Sequence, residues 1–134
     1  MNNMWFSDIE STVLTKLSYM LADRTDAPYP DLVCTTANQN NFTVFPTLYL
    51  HELTPVEAGN DLDNQIVNAV IETIEIQVWT NKTEEDCRKI FAAVLNEMKR
   101  MRFNITAFPA IQTDNKIAYG IARFRRIIGK DDTL

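Results

Sequence analysis

Glycine is scarce in this chain, and its scarcity excludes one class of ligand site. Only Gly59, Gly120 and Gly129 occur among 134 residues, and they form no cluster. Phosphate-binding loops such as the P-loop and the dinucleotide fingerprint need two or three glycines close together. The sequence therefore predicts neither kind of loop and no nucleotide cofactor.

Histidine and cysteine are also too few for common metal chemistry. His51 is the only histidine, and Cys34 and Cys87 stand far apart, so no typical zinc or copper site is expected. A Ser-His-Asp arrangement would have to use His51, but no G-x-S-x-G nucleophile elbow accompanies it. We expect His51 to be a surface or strand residue and Cys87 to be a small buried hydrophobe. Nothing in the sequence supports a disulfide.

Long apolar runs are missing. No stretch approaches the ~18 apolar residues of a membrane span, and the first residues, MNNMWFSDIES, do not follow the pattern of a signal peptide. We therefore expect no membrane partner. The length predicts a single domain over residues 1–134, and 46% apolar and 23% charged residues are ordinary values for a globular fold.

The net charge of −5 is distributed unevenly along the chain. Residues 1–98 carry five Lys/Arg and fifteen Asp/Glu, whereas residues 99–134 carry eight Lys/Arg and three Asp/Glu. The acidic total disfavours non-specific binding to nucleic acid. The asymmetry indicates either two differently charged faces of one domain or unlike faces of neighbouring copies that attract each other.

Two helices are predicted. Ser7 and Glu10 fit a capping box that would begin a helix from about Asp8 to Ala22. Thr83 and Asp86 would cap a second helix that continues to about Arg100. The apolar stripe of this second helix has regular helical spacing and comprises Cys87, Ile90, Phe91, Val94, Leu95 and Met98.

The remaining segments predict strands. A short strand in DLVCTT and another within 42–53 precede a polar connection over 54–65, and a long strand follows from Ile66 to Trp79. We expect this long strand to bend or bulge near Glu72. A hairpin around TDNK follows the second helix, with a phase slip after Ala122 that sets Phe124, Ile127 and Ile128 against three arginines. The fold class predicted is α+β: a mainly antiparallel β-sheet with two α-helices packed on it.

Charged clusters are the remaining candidates for sites. Glu57, Asp61 and Asp63 share a polar connection but do not follow the calcium-loop spacing, so weak divalent-ion binding is the only metal role open to them. Arg123, Arg125 and Arg126, with Arg100 and Arg102, could bind phosphate. Because the domain is acidic and Phe124 is expected in the core, salt bridges to neighbouring strands or subunits are the favoured role of these arginines.

The run from Phe45 to Ile128 resembles the small tail-terminator, or tail-completion, proteins of long-tailed bacteriophages and of phage-tail-like bacteriocins. Before this run, ESTVLTKL on an N-terminal helix also resembles these proteins. The run itself opens with FPTLYLHEL as a strand, followed by a polar loop. The strand IETIEIQVWTNKT leads directly into the helix EEDCRKIFAAVLNEMKRMRF. Last comes the closing hairpin, AFPAIQTDNKIAYGIARFRRIIG, with arginines on its final strand.

The resemblance implies a structural virion protein, assembled in the host cytoplasm and located at the neck end of the tail. Such proteins form a homo-hexameric ring on the tail tube protein, end tail polymerisation and present a surface to the head-tail connector protein. In contractile tails the ring also contacts the tail sheath. DNA passes through the ring without specific binding, and the resemblance implies no catalytic residues and no cofactor.

The charge asymmetry adds a hypothesis about the ring contact. A ring is built from heterologous contacts, in which one surface of a subunit meets a different surface of the next. We expect Arg123, Arg125 and Arg126 to meet Glu57, Asp61 and Asp63 of a neighbour. The alternatives are a head-proximal neck, adaptor or minor capsid protein that contacts DNA or the connector, and a small hydrolase that uses His51.

Overall fold

The computed structural model describes residues 2–39, 42–60 and 64–134. A 3₁₀ turn over Trp5–Asp8 leads into α1 at Ile9–Ser18, and a π-helical turn over Tyr19–Asp23 ends this helical region. The second helix, α2, runs from Glu84 to Arg100. The strands are β1 Val33–Thr35, β2 Thr47–Glu52, β3 Val56–Asn60, β4 Val67–Thr80, β5 Asn104–Ala107, β6 Gln112–Asp114 and β7 Ile117–Gly129.

The seven strands form one sheet in the order β1-β2-β4-β7-β5, with β3 also on β4 and β6 also on β7. Every pairing is antiparallel except that of β1 with β2. Apolar residues of α1 and α2 share one hydrophobic core with one face of this sheet. The predicted α+β class is therefore confirmed.

The centre of the sheet alternates strictly between two faces. In β4 the residues from Val70 to Thr80 are alternately buried and half-buried, and in β7 the residues from Ala118 to Ile128 alternate in the same way. The buried set faces the helices, because successive strand side chains point to opposite sides of a sheet. The other set lies on what we call the open face, which neither helix covers.

Two predictions about these strands were wrong. No bulge interrupts β4 near Glu72, since its register with β7 is continuous from Ala69 to Thr80. No phase slip occurs in β7 either: Arg126 is buried on the helix-facing side, while Ile127 is exposed on the open face. The alternation is steady although it buries two ionisable side chains, Glu72 and Arg126.

The two helices begin differently. The predicted cap of α2 is confirmed, because the Thr83 hydroxyl accepts from the Asp86 amide at 3.1 Å and the Asp86 carboxylate accepts from the Thr83 amide at 3.3 Å. The side-chain and backbone hydrogen bonds from Thr83 lower the pKa of Asp86. The capping box predicted at Ser7 and Glu10 was wrong. Ser7 lies inside the 3₁₀ turn, and α1 begins with no side-chain cap.

The connection predicted over 54–65 contains a strand. β3 pairs with the first part of β4, next to the stretch of β4 that pairs with β2. The register of β3 shifts on both sides of Gly59, where it bulges. The predicted hairpin around TDNK is confirmed for β6 and β7, which are joined at Asn115 and Lys116, both with positive φ.

Thr83→Ala is expected to destabilise the fold by about 1 kcal/mol, because the amide of Asp86 loses its capping acceptor. Urea unfolding followed by circular dichroism would measure the change. Thr83→Ser keeps the hydroxyl and should retain most of the stability. Equal stability of the Ala and Ser variants would show that the cap contributes nothing to α2.

Candidate interaction surface

The open face is formed by alternate residues of adjacent strands, which lie opposite each other in rows. Gln77, Glu75, Thr73 and Ile71 of β4 face, in that order, Ile121, Arg123, Arg125 and Ile127 of β7. His51 of β2 extends the Glu75 row, and Val56 of β3 extends the Ile71 row. The surface therefore combines aliphatic and charged side chains over several strands.

Aliphatic side chains on this face are well exposed. Ile127 is 59% exposed and Val56 is 58% exposed, with Ile71 between them in the same row. Ile121 is exposed two rows away from Arg125. Single exposed aliphatic residues are ordinary, but a contiguous apolar patch edged by polar groups is typical of a binding surface.

The end of the open face near β1 is partly covered by aromatic rings. Trp79 stacks on Tyr119 with centroids 4.4 Å apart and an interplanar angle of 8°. Phe42 contacts Trp79 and Tyr49 at centroid distances of 5.3 and 6.0 Å, and both Phe42 and Tyr49 are buried. The accessible part of the face therefore lies at the rows of Ile121, Arg123, Arg125 and Ile127.

The three arginines predicted at an interface occupy different environments. Arg123 donates to Glu75 across the strands, with Nε 3.1 Å from Oε2. Arg125 is exposed between Thr73 and Asn104 and forms no ion pair with any described residue. Arg126 is buried, and its guanidinium donates to the Met101 carbonyl at 2.8 Å. Arg125 is thus the one best placed to meet an outside partner.

Glu57, the one predicted acidic partner within the described residues, lies across β4 from the arginines of β7. Glu57 is exposed on β3, which pairs with β4 along the edge opposite β7. Asp61 and Asp63 lie outside the described residues. Glu57 and Arg125 of one chain lie on strands that do not pair with each other. A contact between them would therefore be one between neighbouring copies.

Other candidate groups are dispersed. Across residues 2–39, 42–60 and 64–134, no three His, Cys, Asp or Glu side chains converge as metal ligands, and no helix has the length and apolarity to cross a bilayer. His51 is exposed on β2 and stacks beside Tyr49. Both cysteines are free, and burial raises the pKa of Cys34 and of Cys87 to about 11.

Glu72 is a buried acid that sequence reasoning missed. Its side chain is 0% exposed on the helix-facing side of β4, and neither carboxylate oxygen has a hydrogen-bond partner among the described residues. Its neighbours Val70 and Ile74 share the buried face, so simple alternation would have placed it there. The predicted bend near Glu72 assumed instead that the buried face of the strand changes at this residue.

Burial, the adjacent Glu52 carboxyl and the more distant Glu10 raise the pKa of Glu72 to about 9. A protonated Glu72 carboxyl can donate a hydrogen bond to Glu52, whereas two ionised carboxylates are both acceptors and cannot bond each other. The folded state thus holds a proton that the unfolded chain, with a pKa near 4.5, releases at neutral pH.

Glu72→Gln is expected to stabilise the protein at pH 7 by about 2 to 3 kcal/mol, since one pKa unit corresponds to 1.36 kcal/mol. The folded-state pKa is raised, so the stability of the native chain should fall as pH increases from about 4.5 to about 9. Urea unfolding across this range would measure both effects. A Glu72→Gln variant with the slope of the native chain would contradict the assignment, and Glu75→Gln on the open face is the matched control.

Comparison with known proteins leaves the geometry as the main guide to function. A scan against protein-family models gave no match, and a search of curated proteins found none with significant similarity.

Proposed function

We propose that this chain is a structural virion protein that forms a homo-hexameric ring on a phage tail tube, ends tail polymerisation and provides the head-joining surface. The observation that carries the proposal is the open face, on which exposed aliphatic residues flank an exposed arginine. The resemblance of the chain to tail-terminator proteins supplies the ring, the hexamer and the partners.

The composition of the open face suits a contact with another protein. Protein interfaces have an apolar centre and a polar rim, and arginine is enriched in them relative to lysine and the acidic residues. Ile127, Ile71 and Val56 provide an apolar row, and Arg125 lies in the adjacent row. Burying such a row against a neighbour is favourable by about 25 cal/mol for each Å² of apolar surface removed from water.

The arrangement of charge favours a heterologous contact between copies. Arg125 lies on the β7 side of the sheet, and Glu57 lies on the β3 side. A cyclic ring joins one side of each subunit to a different side of the next, so these charges would meet across the subunit boundary. Arg123 contributes through its pair with Glu75, and Arg126 supports the fold from within.

Further contacts follow from the resemblance alone. The ring would contact the tail tube protein on one side, the head-tail connector protein on the other and, in a contractile tail, the sheath. DNA would pass through without specific binding. Under this proposal, Asp61 and Asp63 join Glu57 on the acidic side of the contact.

Arg125→Glu is expected to abolish the ring while the fold is retained. The substitution places an acidic side chain against the acidic side of the neighbour, and the two repel each other. Mass photometry and negative-stain microscopy over a range of protein concentrations would detect the ring. Lys89→Glu is the matched control, since it makes the same charge change on the exposed side of α2 and disturbs only a weak surface pair.

The ring assay distinguishes three results. Rings in the native chain and in Lys89→Glu, but not in Arg125→Glu, would support the proposal. Intact rings in Arg125→Glu would refute the role of Arg125. Salt-sensitive binding of DNA by the native chain, lost in Arg125→Glu, would favour instead the head-proximal adaptor.

Ile127→Ser and Ile128→Ser, at two adjacent residues of β7, provide a second test of the interface. Ile127 is exposed, so its replacement should change the stability of the subunit by no more than about 0.5 kcal/mol and should weaken the ring. Ile128 is buried, so the same change should cost about 3 kcal/mol through the lost apolar contacts and an unpaired hydroxyl. Thermal unfolding and mass photometry measure the two effects separately. Normal assembly of Ile127→Ser would remove this row from the interface.

A further inference from the structure

A buried acid and a buried base face each other in the sheet without pairing. Glu72 of β4 and Arg126 of β7 are register partners on the helix-facing side. Cβ atoms of such partners lie roughly 5 Å apart, within easy reach of an arginine and a glutamate. Each side chain is nevertheless directed elsewhere, since Arg126 forms its ion pair with Asp132 and Glu72 forms none.

Arg126 lies in a cationic environment. It lines a cavity of about 220 Å³ together with Arg100, Arg102 and residues of the 130–134 segment. Its guanidinium donates to the Met101 carbonyl at the end of α2, and its nearest carboxylate is that of Asp132, 3.7 Å away. Asp132 is half exposed, so water weakens this ion pair.

Glu72 lies in an anionic environment. Glu52 of β2 and Glu10 of α1 are the charged groups that act on it from the elements packed nearby. Glu57 of β3 lies opposite Val70, the next residue on the same face of β4. Arg126 of β7 is the cation directly opposite. Glu72 therefore lies near other acids and Arg126 near other arginines, and each also has one group of opposite charge nearby: Arg126 for Glu72 and Asp132 for Arg126.

A proton on Glu72 makes this arrangement stable. A neutral carboxyl has no strong attraction for a guanidinium, and it can donate its proton to Glu52. An ionised Glu72 at this buried position has a large desolvation cost, which pairing with an opposite charge offsets. Removal of the proton therefore changes which partner Arg126 favours.

We propose that Glu72 and Asp132 compete for Arg126, so that ionisation of Glu72 turns the guanidinium towards the sheet and frees the Asp132 carboxylate from its ion pair. Asp132 keeps its hydrogen bonds with Gly129: its carboxylate accepts from the Gly129 amide at 2.8 Å, and its own amide donates to the Gly129 carbonyl at 3.0 Å. Leu134 stays in place, because it packs against the hydrophobic core, lines a cavity of about 450 Å³ between α1 and α2, and accepts a hydrogen bond from Lys16 through its carbonyl.

The competition has a defined direction with pH. Because the pKa of Glu72 is raised, the Asp132–Arg126 ion pair is held at and below neutral pH and is lost as pH rises through the titration of Glu72. Removing Asp132 as a competitor makes Arg126 more available to ionised Glu72. Asp132→Asn should consequently lower the pH at which Glu72 ionises.

A pH titration by NMR of the full ¹⁵N-labelled chain tests the proposal. The signals to follow are the side-chain Nε–H of Arg126 and the backbone amides of Gly129 and Asp132, with circular dichroism at each pH to monitor the fold. In the native chain the three signals should move together, with one midpoint above neutral pH. Asp132→Asn should move the midpoint of the Arg126 signal down by about one pH unit.

Glu72→Gln should abolish this titration, and Glu75→Gln, which removes an acid from the open face, should leave it unchanged. Survival of the common midpoint in Glu72→Gln would overturn the proposal, as would an unchanged or raised midpoint in Asp132→Asn. Because Asp132 is half exposed, the Asp132→Asn variant remains folded and informative even where changes at position 72 alter stability.

Discussion

The antiparallel ladder between β4 and β7 is the constraint from which the other features of the molecule follow. It joins the two longest strands without a break from the Ala69–Gly129 pair to the Thr80–Ala118 pair. A shift of one residue in such a ladder would exchange the two faces of a strand completely. The ladder therefore decides at once which side chains enter the core beneath α1 and α2 and which remain on the open face.

That constraint overrides the polarity of individual residues. Glu72 and Arg126 enter the core because their positions in the alternation place them there, and Ile127 is exposed for the same reason. Keeping the register protects the packing of Ile74, Phe124 and the other apolar residues of the buried face, which outweighs the cost of two buried polar groups. The same register gives the open face its mixture of aliphatic and charged residues, on which the proposed assembly depends.

Local signals made part of this structure predictable. The capping residues and apolar stripe defined α2, and turn residues with flanking alternation defined the hairpin of β6 and β7. The strand β3 was missed because its pairing with β4 is a non-local contact that the polar sequence VEAGN does not indicate. The candidate surface was only partly predictable, because assigning Arg126 outward and Ile127 inward relied on polarity where the alternation of β7 was the better guide.

The alternation in β7 also separates residues that stabilise the fold, at even positions, from residues that are available for binding, at odd positions. Even-numbered residues from Ala118 to Ile128 are buried, so change at these positions is restricted by volume and packing. Odd-numbered residues from Ile121 to Ile127 are accessible and can vary with little effect on folding. One strand can thus acquire a new binding preference by substitution at every second residue, while the intervening residues continue to encode the same architecture.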